Sequence, residues 1–337
     1  METEGKIHIS DLKIKKNKQS ENFYFELEKK FKENLFKDAL SITKFVTKLA
    51  KEIGIKSHNL EDIKTRKVIS LNTLKKMSVF LIKNGFKQYS LKKIEKKISY
   101  IKGGFTQNKI YIKFPVNLKC KEGIRLISHL YHDGGIGKKN RQPKFTNKIR
   151  KEVEKFILDG RKIFGRFDRK VKENRNKGGN IVYIAELPTV IGDILISIGY
   201  GKGDKTKNNP KIFGFLNRLK EKNLISIFIS TAINDDGHIG NRVVSIQQST
   251  LIKKGKKKVS NILMLDKLML EKLGLVVVGP KIAGTYKNRY GICANFKISF
   301  YGKNQFNKFY KTAKRWLVPY KKTKLEKLTL RTAKGTL

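Results

Sequence analysis

Twice in this sequence an apolar run ends in Asp-Gly: GIRLISHLYHDGGI at residues 123–136 and ISIFISTAINDDGHI at residues 225–239. The acids before the glycines, Asp133 and Asp236, stand 103 positions apart, and the patterns after the two acids come in the same order. After Asp133 come β-like residues at 142–147, helical spacing over 149–164, β stretches at 166–172 and 180–185, and a helix over 187–199. After Asp236 the same series runs 243–250, 259–274, 275–286, 290–301 and 305–316. Each unit reads helix, two strands, helix, two strands, helix, so the chain is expected to build one supersecondary unit twice. A Gly/Lys/Asn-rich linker, 200–210, separates the units, and the last twenty or so residues read as a basic tail. The expected domains are 1–115, 116–210 and 211–337.

The first 115 residues read as mostly helical. Residues 21–53 alternate apolar and charged positions at helical spacing. Within 46–65, VTKLAKEIGIKSHNLEDIKT, Ala50 sits where two helices would cross and Gly54 in the turn between them. Leu60 and Ile63 anchor the second helix, for which Ser57 is the expected N-cap. A further amphipathic helix is expected over 71–83. After Gly103 and Gly104 the pattern changes, and KIYIKFPV at 109–116 reads as a strand that Pro115 breaks.

Lys and Arg number 76 against 28 Asp and Glu, a net charge of +48. So large an excess in a folded chain needs a polyanion nearby. Nucleic acid comes first, because each neutralised phosphate releases a counterion. An anionic membrane surface comes second, but no basic amphipathic helix with an apolar aromatic face occurs. A bias toward AT-rich codons would supply many lysines without removing the acids. The 39% hydrophobic fraction, with 20 Phe and 12 Tyr, argues against disorder. No apolar run approaches the ~18 residues that span a bilayer. METEGKIHISDLKIKKN has no apolar signal core, so an intracellular location is expected. Cys120 and Cys293 form no CxxC pair and fit free thiols in a reducing compartment.

Two closely packed helices need small residues at the contact, here Ser128, Thr231 and Ala232. Packed in parallel, their C-terminal ends meet and bring Asp133 and Asp236 together. That sets two like charges at the negative ends of two helix dipoles. Divalent cations reverse the sign of both effects. Carboxylates with backbone carbonyls and waters suit Mg²⁺. Asp133 and Asp236, with the backbone at Gly134 and Gly237, are therefore the expected metal site. Ions so held activate a water and stabilise the leaving oxygen in phosphodiester hydrolysis. The two glycines also let the chain turn sharply from helix into strand. A single Asp-Gly is an ordinary turn, so the chemical reading rests on the pair and on the matching elements after each. Asp235 reads as a turn neighbour. His129 and His132 have no HExxH or Cys partner, and His129 reads as a packed interface residue.

The nine-residue segments LISHLYHDG (126–134) and ISTAINDDG (229–237) share an apolar start, a small third residue and a final acid-glycine. They resemble the LAGLIDADG homing endonucleases in their two-repeat, single-chain form, over residues 116–316. Residues 40–85 resemble the Cro/cI-type helix-turn-helix family. Glu61 and Asp62 depart from a helix that enters the major groove, and a three-helix bundle with a glycine turn would give the same pattern.

These resemblances imply an α+β fold: two pseudo-symmetric αββαββα repeats with saddle-shaped antiparallel sheets, plus an all-α helix-turn-helix domain. They imply a monomeric, Mg²⁺-dependent, site-specific endonuclease, an intron-homing enzyme. It would cut both strands of duplex DNA across the minor groove, leaving short 3′ overhangs, in a nucleoid or organelle. Gln248 and Lys205 would stand beside the metal-bound waters as further catalytic groups. The strands would carry Lys138, Lys139, Arg141, Lys144, Arg166, Arg169, Arg242, Gln247, Gln248, Lys281, Lys287 and Arg289 toward DNA. His58, Asn59 and Lys64 would serve the helix-turn-helix. The chain lacks the terminal nucleophile and His-Asn of an intein and reads as freestanding. The same scaffold would also suit a maturase of intron RNA or a DNA-binding regulator. Retention of both acids favours the enzyme.

Overall fold

A computed structural model describes residues 4–13, 23–66, 68–103, 109–176, 178–253 and 255–331, and the chain is α+β with small antiparallel sheets. The first region holds β1 (Lys6–Ile7), β2 (Tyr24–Leu27), α1 (Lys29–Thr43), α2 (Val46–Glu52), α3 (Ser57–Thr65), β3 (Val68–Ser70), α4 (Leu71–Lys83), α5 (Leu91–Ile94) and β4 (Ile98–Lys102). This region is not all-α. Phe23, Phe25 and Leu27 are buried while Tyr24 and Glu26 are half-exposed, a period of two rather than 3.6. That segment is the central strand of a β3-β2-β4 sheet, and the helix expected from residue 21 starts only at Lys29.

Helices α2 and α3 flank Gly54 at φ +60°, with Ala50 and Leu60 buried. Ser57 is the first residue of α3. The N-cap position falls to Lys56, which makes no side-chain cap. Helix α4 spans the expected 71–83, and the Ser70 hydroxyl caps it by accepting from the Thr73 amide at 3.2 Å. The strand expected over 109–116 reduces to isolated bridges, Ile110 to Ile101 and Tyr111 to Arg166. Strand β5 (Val116–Asn117) pairs with β1, which stitches the start of the chain to the first repeat.

Two stretches then share one order. The first is α6 (Lys121–Tyr131), β6 (Gly135–Ile136), β7 (Pro143–Asn147), α7 (Arg150–Phe164), β8 (Lys172–Arg175), β9 (Ile181–Glu186) and α8 (Thr189–Ser197). Short helices α9 (Lys205–Asn208) and α10 (Gly214–Asn217) connect it to the second. That is α11 (Lys222–Asp236), β10 (Gly237–Ile239), β11 (Val244–Leu251), α12 (Asn261–Lys272), β12 (Val278–Asn288), β13 (Gly291–Phe300) and α13 (Lys303–Ala313). The sheets run β6-β7-β9-β8 and β10-β11-β13-β12, the same strand order twice. The linker over 200–210 is not structureless: Asp204 caps α9 by accepting from the Thr206 amide at 2.9 Å. The expected basic tail is helix α14 (Pro319–Arg331), with Leu325 and Leu328 buried; its last residues, 332–337, lie outside the described residues.

Helix α6 is buried from Gly123 through Tyr131 and α11 from Ile225 through Asn234. Helices buried all round belong at the centre of a domain, and these two pack on each other: Ser128 Oγ donates to the Phe228 carbonyl at 2.8 Å. Each fully buried Leu, Ile or Phe there stabilises the fold by about 1.5–3 kcal/mol. Among the described residues no helix is long and apolar enough to cross a membrane. Cys120 and Cys293 are free thiols.

Candidate active site

Both central helices end in a turn that only glycine fits. A Cβ on Gly134 would lie 2.8 Å from the carbonyl oxygens of His129 and Lys144, and one on Gly237 would lie 2.5 Å from Ile233 Cα. The acids before them differ in setting. Helix α6 stops at Tyr131, so Asp133 stands in the turn, solvent-facing, in a cleft of about 400 Å³ that it shares with Asp235, Asn147, Glu152 and Tyr320. Helix α11 continues through Asp236, which is half-buried and accepts from Gln248 Nε2. Loss of water on its inner side and the charges of Asp235 and Asp236 push the Asp133 carboxyl up to about 7. Burial also raises Asp236, against the opposing pull of His132 and Lys205.

A lysine caps each helix end. Lys205 Nζ donates to the Tyr131 carbonyl at 2.9 Å and to that of His132. Lys321 Nζ donates to the carbonyls of Asn234 at 2.9 Å, Gly237 at 2.8 Å and Ile233. Each stands eight residues beyond the final helix of its repeat, which ends at Ser197 or Ala313. Tyr200 Oη, donating to the Leu130 carbonyl at 2.6 Å, seats the first lysine's segment. Asn234 seats the second by accepting from the Val318 amide at 3.0 Å and donating to the Trp316 carbonyl at 2.9 Å. Positive charge at a helix C-terminus offsets the dipole. Burial lowers both ammonium pKa values, while Asp236, Asp133 and Asp235 pull them back up. Sequence reasoning named Lys205 and missed Lys321, which lay unmarked in the basic run. The signal was its spacing from the last helix.

Below the acids, polar pairs cross between the repeats. The two ring nitrogens of His132 face acceptors, Nδ1 the Ser128 carbonyl at 2.7 Å and Nε2 Asp266 at 3.2 Å. Burial alone would lower the imidazolium, but Asp266, Asp236 and Asp235 push it up to about 9. His129 Nδ1 bonds Asp235 Oδ2 at 2.9 Å, with its ring 4.2 Å from that of Phe145. The two histidines thus have separate carboxylate partners. Asp235 Oδ1 and His129 Nε2 are buried without partners among the described residues.

The expected groove residues divide. Lys138, Lys139, Lys144, Arg242, Gln247, Lys281, Lys287 and Arg289 are exposed on or beside the two sheets. Arg289 lies against the Tyr290 ring at 4.7 Å. Arg141 does not fit a groove role: its Nη1 is 2.7 Å from Asp193 on α8, so it anchors the turn. Arg166 and Arg169 precede β8 rather than lying in it, and Arg166 lines a different cleft with Tyr111 and Arg161. Register puts Lys297 opposite Gln247 and Asn295 opposite Ser249, with Asn295 Nδ2 donating to Gln247 Oε1 at 2.8 Å. These β13 residues share the face of Gln247, and alternation along β13 was the signal for them. His58, Asn59 and Lys64 are exposed on α3.

Among the described residues, no group of three or more His, Cys, Asp or Glu is arranged to hold a metal. The helix ends offer Asp133 and Asp236, and Asp235, bonded to His129 through Oδ2, lines the cleft beside Asp133. Burial raises the carboxyls of Asp133 and Asp236, and at Asp133 the charges of Asp235 and Asp236 add a repulsion that a cation would relieve. So sparse a donor set suits a hard ion that keeps several waters, as Mg²⁺ does. Gly237 fits the ligand role less well, because its carbonyl already accepts from Lys321. No protein-family model matches the chain, and no curated protein matches it either.

Proposed function

We propose that this protein is a Mg²⁺-dependent, site-specific endonuclease of duplex DNA, built on two LAGLIDADG-type repeats with a helix-turn-helix at α2–α3. The observation that carries the reading is the pair of acids at the meeting ends of two buried helices, one per repeat, each end capped by a lysine. Mg²⁺ held there would supply an activated water and neutralise the leaving oxygen. The chain's own residues do the rest. Asp133 and Asp236 supply the carboxylates, and Gln248 orients Asp236 through its amide. Lys205 and Lys321 fix the helix ends and add positive charge where phosphate charge develops. The exposed lysines, arginines and glutamines of the two sheets hold the duplex. His58, Asn59 and Lys64 on α3 add flanking contacts.

The test is cleavage of DNA from the gene's own genomic neighbourhood by the purified full chain with Mg²⁺, with cut ends mapped. The expected result is double-strand cutting at one long site, lost in Asp133→Asn while duplex binding persists. If the protein binds that DNA but never cuts it, or if Asp133→Asn cuts as well as the parent, the nuclease reading is wrong.

A further inference from the structure

A second cationic cleft lies on the outer face of α7, where Lys155, Leu158 and Lys162 recur at helical spacing. It has a volume of about 360 Å³ and is lined by Arg125, Lys155, Asp159, Arg161, Lys162 and Arg166. It shares no lining residue with the active-site cleft. Arg125 lies six residues before the end of α6 at Tyr131, roughly 9 Å along the helix axis.

The carboxylate that lines this cleft is already engaged. Asp159 takes Arg125 Nε at 2.6 Å and Nη2 at 2.5 Å. The Arg125 side chain is 7% exposed, and its Nη1 has no partner among the described residues. A buried guanidinium nitrogen without an acceptor is unfavourable, and an anion reaching it from the cleft would supply that acceptor. Lys155 is half-buried nearby. Burial lowers its ammonium pKa; Glu152 and Asp159 oppose the shift, while the Arg125 charge adds to it. Lys162 reaches Glu122 at 3.2 Å across an exposed pair, and a phosphate offers enough oxygens for Arg125, Lys155 and Arg166, with Lys162 at the rim.

The neighbouring cleft, about 890 Å³, continues from the same Arg161 and Arg166 to Tyr111, which is 54% exposed. An open aromatic ring beside a phosphate pocket matches an unpaired nucleotide, whose base has a free face. A duplex stacks its bases inward and leaves such a ring nothing to cover.

We propose that these joined clefts are a second nucleic-acid site for a single-stranded segment, with a phosphate on Arg125 and the adjoining base on Tyr111. The proposal uses no residue of the helix-end site and stands whether or not the protein cuts DNA.

The experiment measures binding of short labelled oligo(U), oligo(dT) and duplex DNA to the full chain at physiological salt. Variants are Tyr111→Ala, the pair Lys162→Ala/Arg166→Ala, and a charge-matched surface control, Lys29→Ala/Lys30→Ala. Tyr111→Ala should weaken single-strand binding at least about fivefold, the low end of one lost base–aromatic stack. The cleft pair should weaken it at least as much, with the control within about twofold and duplex binding unaffected by either, since diffuse charge acts alike everywhere. Acetylation of Lys155 and Lys162, read by mass spectrometry, should slow when oligo is bound and not when duplex is bound. A preference between oligo(U) and oligo(dT) would show which of the two strands the site takes, and either preference supports the site. Equal losses in the cleft and control pairs, or no protection of Lys155, would overturn it.

Discussion

The ends of α6 and α11 carry the same glycine turn and the same capping lysine, yet they present their acids differently. Asp133 stands clear of its helix in the open cleft, whereas Asp236 is the last residue of its helix and is held by Gln248. The two ends share one backbone solution and differ in their polar filling. The difference is complementary. The first repeat supplies His129 and His132 where the second supplies Asp235 and Asp266. Histidine therefore meets aspartate across the seam, and each half needs that particular other half.

The largest expected effect tests whether both ends serve one reaction. Asp133→Asn and Asp236→Asn should each lower Mg²⁺-dependent cleavage by at least about a thousandfold, or several kcal/mol of lost charge stabilisation. Single-turnover assays on a mapped site would measure this. A large loss at one acid alone would mean that the difference in setting is a difference in role.

Next comes the seam. Asp266→Ala leaves the His132 imidazolium buried without its partner and should cost about 3–5 kcal/mol of stability in urea unfolding. A loss under about 1 kcal/mol, the range of a surface pair, would show that the cross-repeat contact carries little. The caps come third. Lys205→Met releases two carbonyls and Lys321→Met three. Each variant should lose about 1–3 kcal/mol, with Lys321→Met the worse. The reverse order in thermal unfolding would mean that carbonyl satisfaction does not set the cost.

The repeats were legible because their signals are local. Helical spacing over 149–164 became Arg150–Phe164, and alternation over 243–250 became Val244–Leu251. The β2 strand was missed because FYFEL is short and set among charges, so a helical period fitted it equally well. Cross-repeat pairs could not be read at all. His129 and Asp235 are 106 residues apart, and His132 and Asp266 are 134 apart, with no local pattern to join them. Arg141 misled for a similar reason. It sits in a basic turn at φ +54°, and only the fold brings Asp193 to it.

The smallest effect concerns pH and bears most directly on the two settings. The folded Asp133 carboxyl is pushed up to about 7 from an ordinary value of 3.8. The unfolded chain therefore gives up this proton first, and stability falls as pH rises from about 4 through 7. Asp133→Asn removes the repulsion. Its Tm should exceed that of the parent by about 2–4 °C at pH 8, a modest shift because Asp133 faces solvent. The gain should shrink as pH drops toward 4 and vanish well below it, where the parent is protonated whether folded or not. Asp236→Asn should gain less at pH 8. The burial that raises its carboxyl is already offset by His132 and Lys205, and the change disturbs the bond from Gln248. Thermal melts of both variants between pH 4 and 8 would show this. Equal gains at the two positions would mean that the open and the held acid are electrostatically the same.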